Sequence, residues 1–478
     1  MTANLRERLD RALNPRTVAV VGDKKAMGYM WLNCMKTFQG KVYSVQVDPS
    51  EIDGIEAMGV PNYKSLGEIP DDIDYVVCAV PRPVAPRIVA DCVAKKVGAV
   101  ALFTSGFAET ETEEGVAAQD QITHLAREGD LLLIGPNCMG IHNRRLGVRH
   151  STDQPAGDSG NVGFISQSGT HCINFSLVGA EHGIKCSKTV SFGNAVVLDA
   201  PEYIDYLAND SDTQVIAMYI EGVKDGRRFF ASLRDAAKRK PVVVWKGGVT
   251  AAGARAVYSH TASLATAPAI WDAAMRQAGA VQTESLDDTI DVVKALTLAG
   301  QTTGKRMGLI AMTGGQSVVI TDAFERAGLE VPLLTTASYE KLSGFFNIIG
   351  GSYRNPLDAG GTIGMGFVPG NLQKLFDILE DDENVDAVAM EVGAGFIARR
   401  MRQNPALMDQ IVDVLASQKE KSAKPFMAIA HQAHVEDVMI EMRKKLLERS
   451  VATFGSFGSA AQAFARAVAH WRFREGIE

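Results

Sequence analysis

His260 sits in the run KGGVTAAGARAVYSHTASLA, residues 246–265, with glycines before it and hydroxyls around it. Gly247, Gly248 and Gly253 permit backbone conformations that other residues avoid. Ser259, Thr261 and Ser263 surround the imidazole with hydroxyls. These residue types predict a mobile loop carrying a nucleophile that takes up a group in one place and releases it in another. A lone histidine is more often structural, yet the surroundings here are small and polar rather than an apolar face.

A histidine nucleophile needs a partner that sets its tautomer. Glu221, in MYIEGVKDGR (218–227), follows an apolar strand, at the edge where active-site groups of parallel sheets collect. By accepting the Nδ1 proton it would leave Nε2 as the nucleophile. The competing reading is a loop carboxylate paired with Lys224 or Arg227. A third segment, FISQSGT (164–170), turns from strand to helix. There Ser166, Gln167, Ser168, Gly169 and Thr170 stand where a helix N-terminus favours an anion. The alternative is an ordinary Ser or Thr cap, worth about 1 kcal/mol. His171 and Cys172 read as ordinary helix residues.

A fourth segment, VVGDKKAMG (20–28), leaves the first strand through Gly22, and Lys24 and Lys25 offer charge to a phosphorylated ligand. The plainer alternative is a turn with solvated lysines. It is not GxGxxG, which weighs against a nicotinamide dehydrogenase although Asp48 ends the second strand. His431 and His434 follow another strand end and are candidate site residues of the third unit, but at i, i+3 without a carboxylate partner they predict no metal site.

These groups must be held by a scaffold, and the pattern specifies one. Short β-branched runs alternate with helical spacings throughout: 17–23, 41–48, 74–80, 98–104 and 131–137, then 162–169, 188–194, 213–222 and 240–248, then 307–315, LEVPLL, 386–395, 424–431 and 451–456. Such alternation implies parallel sheets with crossover helices. The expected fold is α/β, three serial Rossmann- or flavodoxin-like parallel-sheet domains over 1–150, 151–303 and 304–478, with polar linkers at 151–161 and 300–306. The net charge of −7 argues against a nucleic-acid footprint. No secretory leader and no apolar run of roughly 18 residues is evident, so no membrane span is expected. Six scattered cysteines form no close pair, which fits a reducing, cytoplasmic setting.

In order along the chain, DPS (48–50), VPRPVAP (80–86), TSGFAE (104–109), IGPNCMGI (134–141), NVGFISQSGT (161–170), SFGN (191–194), YIEGVKDGR (219–227) and AAGARAVYSHTASLA (251–265) resemble the α subunit of ADP-forming acyl-CoA synthetases, relatives of succinyl-CoA synthetase. MTGGQSVVITDAFERAGLEV (312–331) and NPLDAGG (355–361) resemble that family's additional ligase domain.

The resemblance implies a CoA-binding first domain, with Gly22, Asp23, Lys24, Lys25, Asp48, Pro49, Val80, Pro81, Asn137 and Cys138 at the CoA. It implies that His260 is the phosphorylated histidine, Glu221 its orienting carboxylate, and Ser166–Thr170 with Ser259 and Thr261 the phosphate contacts. The implied reaction is acyl-CoA, ADP and phosphate giving the carboxylic acid, CoA and ATP. The nucleotide and Mg would be held by a separate ATP-grasp β subunit in a hetero-oligomer. The alternative on the same fold is a CoA-binding acyltransferase or regulatory protein without ATP formation. Four departures stand out. Asp23 lies in a turn where the family usually has Gly-Ala-Ser, and would face ligand phosphates unless it binds another group. Ser50 replaces a common lysine. Ala262 and Thr266 replace glycines of the histidine segment. Gly-Gly-Gln-Ser replaces Gly-Gly-Pro-Gly.

Overall fold

A computed structural model describes residues 1–261, 267–364, 369–401, 404–431 and 435–477. Their strands form three sheets of six, six and five strands. The first contains β1 (Thr17–Val21), β2 (Lys41–Val45), β3 (Asn62–Tyr63), β4 (Tyr75–Cys78), β5 (Ala99–Leu102) and β6 (Leu132–Ile134). All pairs are parallel, in the order β3-β2-β1-β4-β5-β6. This is the dinucleotide-binding arrangement, whose order reverses between β1 and β4. Strands covered on both faces by helices must be apolar throughout, and every residue of β1, β4, β5 and β6 is buried.

The second sheet contains β7 (Gly140–Asn143), β8 (Val162–Ser166), β9 (Cys186–Ser191), β10 (Val215–Ile220), β11 (Val242–Lys246) and β12 (Val281–Thr283), ordered β12-β11-β10-β8-β9-β7. Leaving β7 aside, this is the flavodoxin order, reversing between β8 and β10. β7 runs antiparallel to β9, so a strand from the first 150 residues completes the second sheet. The third sheet, β13 (Met307–Ala311), β14 (Leu357–Asp358), β15 (Ala387–Glu391), β16 (Phe426–Ile429) and β17 (Ala452–Phe454), repeats the flavodoxin order as β14-β13-β15-β16-β17.

The chain divides into two compact units, Met1–Ala180 with Ile184–Leu286, and Glu181–Gly183 with Asp287–Glu478. The first two sheets share the first unit. Most of the helix Leu286–Lys294, read from sequence as closing the second set, belongs to the second unit. There Arg466 grips Asp288 and the Lys294 ammonium lies 4.6 Å from the Phe454 ring.

Two local expectations are corrected. LEVPLL forms no strand: Glu330 makes one isolated bridge to Arg306, and Pro332 lacks the N–H that would continue a ladder. The histidine segment is not a loop from end to end, because Ala251–Thr261 is a helix. Alanines dominate its start, alanine is the best helix former, and Thr250 Oγ1 caps it by accepting from Gly253 N at 3.0 Å. Gly247 and Gly248 fall in the turn ahead of it, Gly248 with φ of +73°.

Candidate active site

The order reversal of the second sheet places β10 between β8 and β11, so the residues ending these strands meet at one edge. Tyr219 is in register with Ser166 on one side and Trp245 on the other. Gln167 follows β8 and turns its side chain toward the end of β10. Its Oε1 accepts from Glu221 N and, at 2.9 Å, from Gly222 N. Lys246 ends β11 and donates from Nζ to Glu221 O at 2.7 Å and to Gly247 O. Burial depresses the Lys246 ammonium pKa, opposed by the charge of Glu221. Glu221 is itself buried. Lys224 does not pair with it: its ammonium goes to Asn194 O at 2.8 Å and Ala195 O at 2.7 Å.

Beside Glu221 three rings meet. His171 lies 4.5 Å from both Tyr219 and Trp245, and those two are 4.6 Å apart. Burial lowers the His171 pKa, with Glu221 opposing, so its imidazole favours the neutral form. His171 is the third residue of the helix Gly169–Glu181. At the start of that helix Ser168 Oγ accepts from His171 N at 3.3 Å. Ser166 Oγ is tied to Ser168, accepting from its N at 3.0 Å and donating to its O at 2.7 Å. The serines therefore shape the turn, and the helix N-terminus is what remains to meet an anion.

The helix Ala251–Thr261 packs against the short 3₁₀ turn Ala108–Thr110. That turn is braced by Glu109, whose Oε1 accepts from Gly106 N at 2.6 Å and Phe107 N at 3.1 Å. Its Oε2 accepts from Asn194 Nδ2 at 2.6 Å. The TSGFAE and SFGN segments thus meet beside the histidine helix. The side chains of Ser259, His260 and Thr261 lie outside the described part of the structure, as do residues Ala262 to Thr266.

At the first sheet, the crevice between β1 and β4 is lined by the predicted turn. Gly22 has φ of +83°, and a Cβ there would lie 2.6 Å from Val80 Cγ1, so only glycine fits. Asp23 is buried and faces inward: Oδ2 accepts from Leu32 N at 2.8 Å and Oδ1 from Lys24 N at 3.1 Å. Its carboxyl is thus committed to the first turn of the next helix. Burial raises its pKa against the backbone hydrogen bonds that lower it. Lys24 and Lys25 are exposed. Asp48 caps the helix Pro49–Glu56, accepting from Ser50 N and Oγ, and the Ser50 hydroxyl holds its pKa low. Thr104 Oγ1 donates to Val80 O, just before Pro81, and Asn137 N donates to Thr104 O. Cys138 is buried with its thiol on Leu102 O and Ile134 O, and burial pushes its pKa up to about 12.

Residues 16–144 match the CoA binding domain model, and 159–296 match the Succinyl-CoA ligase like flavodoxin domain. The chain is 35% identical over 354 residues to the ADP-forming acetate–CoA ligase II subunit alpha of Pyrococcus furiosus, covering 73% of this chain and 76% of that one. It belongs to the ADP-forming acyl-CoA synthetase family. The family's I subunit alpha from the same organism is 33% identical, with 74% and 77% covered. The ADP-forming acetate–CoA ligase I of Archaeoglobus fulgidus is 33% identical, but the match spans only 54% of its length. Among solved structures, the dinucleotide forming acetyl-coenzyme A synthetase 1 of Ca. Korarchaeum cryptofilum, in complex with phosphate and ADP, superposes with a TM-score of 0.83. It is 28% identical, with 98% of this chain and 97% of that one covered.

Within this family fold, the structure brings Gln167 to Glu221 and sets Gly22 against Val80 at one crevice, while the Asp23 carboxyl turns inward to Leu32 N. Sequence reasoning missed Tyr219, Lys246, Trp245 and the setting of His171. The only available signal was the closeness of Tyr219 to Glu221 in sequence at the end of a strand. His431 also has the carboxylate partner that its neighbourhood in sequence lacked. Its Nε2 lies 2.9 Å from Glu391 Oε1, while Glu391 Oε2 accepts from Met312 N at 2.8 Å. His434 lies outside the described residues.

Proposed function

We propose that this chain is the α subunit of an ADP-forming acyl-CoA synthetase and that it performs the acyl-CoA half-reaction. A phosphate oxygen attacks the thioester carbonyl, the C–S bond breaks, and CoA leaves as its thiolate with the acyl phosphate formed. His260 Nε2 then attacks phosphorus, the bond to the acyl oxygen breaks, and the carboxylic acid departs as its carboxylate. Glu221 holds the Nδ1 proton and balances the charge that develops on the imidazole. Phosphoryl transfer of this kind depends on positioning and charge stabilisation more than on covalent machinery.

The observation that carries this reading is the convergence on Glu221. Gln167 and Lys246 tether its backbone from two neighbouring strands, and the helix bearing His260 begins a few residues after Lys246. The helix start at Gly169 and the hydroxyls of Ser259 and Thr261 are assigned to phosphate, and the crevice at Gly22, Val80 and Asn137 to CoA. In this reading 1–150, 151–303 and 304–478 are the CoA-binding, phosphohistidine and ligase domains. ADP, ATP and Mg belong to an ATP-grasp β subunit in a cytoplasmic hetero-oligomer.

The test is labelling of the purified chain with radioactive phosphate and a panel of acyl-CoAs. An acid-labile phosphoryl group on His260, absent from His260→Asn, is expected. Equal labelling of the wild type and His260→Asn, or none with any acyl-CoA, removes the mechanism.

A further inference from the structure

Glu221 is held by more than its backbone. Tyr219 lies near the end of β10 and Glu221 is the first residue after that strand, and the phenol hydrogen-bonds the Glu221 side chain. The phenol is buried and packs against a pair of touching rings, His171 at 4.5 Å and Trp245 at 4.6 Å. Gly247 also abuts it, and an added Cβ there would lie 2.4 Å from the hydroxyl oxygen. The glycine is needed for space, because without it the hydroxyl could not occupy this place. Tyr219 O also accepts from Gln167 N at 3.2 Å, so the residue that tethers Glu221 is itself tied to Tyr219. Burial raises the phenol's pKa, with further contributions from the charge of Glu221 and its hydrogen bonding. The hydroxyl therefore stays protonated and can act as a donor to the carboxylate.

We propose that Tyr219 is a positioning residue: clamped by His171, Trp245 and Gly247, it directs its hydroxyl at the Glu221 carboxylate and sets the orientation in which Glu221 meets the acceptor histidine. The proposal rests on the reading of Glu221 as the carboxylate that orients His260. In this role Tyr219 acts through Glu221. A hydrogen bond to a charged group is worth enough to change a rate about tenfold.

The experiment measures phosphate labelling of the full chain at varied acyl-CoA concentration for Tyr219→Phe, Glu221→Gln and the double variant. Tyr219→Phe keeps the ring and its packing, and thermal melting checks the fold. The expected result is labelling about tenfold slower at saturating acyl-CoA with an unchanged half-saturating concentration. The double variant should be no slower than Glu221→Gln alone, since a residue acting through another has nothing left to act on. Wild-type labelling by Tyr219→Phe, with Glu221→Gln slow, overturns the proposal and leaves the role of Glu221 standing. Effects that multiply in the double variant also overturn it. Normal labelling by Glu221→Gln removes the underlying reading and this proposal with it. Gly247→Ala is a second route: its methyl group must displace the hydroxyl, so slowed labelling is expected, and full-rate labelling counts against the clamp.

Discussion

Gln167 Oε1 accepts from two consecutive backbone N–H groups, those of Glu221 and Gly222, across the junction of β8 and β10. One side chain thus stands in for the ladder that ends at β10. It holds the start of the Glu221 turn against the neighbouring strand. Both donors would otherwise be buried without an acceptor, which costs more than the bond itself contributes.

Gln167→Ala is expected to destabilise the first unit by about 2 kcal/mol and to slow histidine labelling by releasing Glu221. Urea unfolding followed by circular dichroism checks the first effect, and labelling kinetics the second. Unchanged stability would mean that the turn finds other acceptors.

Asp23→Ala should cost about 2 kcal/mol, the scale of leaving a buried donor unpaired, because Leu32 N and Lys24 N lose their acceptor. The buried carboxyl serves the fold, so Asp23→Asn, which keeps an acceptor oxygen, should recover most of that loss. Thermal melts of the two variants side by side make the comparison. Equal losses would show that the charge matters more than the acceptor.

Glu109→Ala removes the acceptor of Gly106 N, Phe107 N and Asn194 Nδ2 together. The turn against which the histidine helix packs should loosen. Faster amide exchange over residues 104–110 and 251–261, with little change elsewhere, is the expected result. Uniform exchange across the first unit would point instead to global destabilisation.

Acid should unfold the first unit through two buried histidines. Burial lowers His142 to about 4 and His150 to about 3, with the His142 ring also opposing charge on His150. Unfolded, each titrates near 6.5. Their neutral forms favour the fold fully above about pH 6.5. That contribution is lost as pH falls toward the folded values, at up to about 1.4 kcal/mol per pH unit for each histidine. Melting temperature measured from pH 7.5 to 4 should drop across this window, and His150→Phe should flatten the fall. A profile indifferent to that substitution would assign the acid sensitivity elsewhere.

Much of this protein is determined locally and so can be read from residues alone. β-branched runs alternating with helical spacings specify α/β units, the glycine after β1 marks a turn that no other residue can make, and Glu221 at the end of an apolar run is placed at a sheet edge by chain direction. The helix at Ala251–Thr261 was also locally encoded, in its alanines and the Thr250 cap, but the flanking glycines suggested a loop. What only the tertiary structure decided is adjacency between strands far apart in sequence. Crossover packing puts β10 between β8 and β11, and that order alone brings Gln167, Lys246 and the ring of Trp245 to Glu221. It also sends β7 to the second sheet and Glu391 to His431. No spacing along the chain encodes these meetings, because each depends on which strand pairs with which, and that is settled by how helices cover the sheet as a whole.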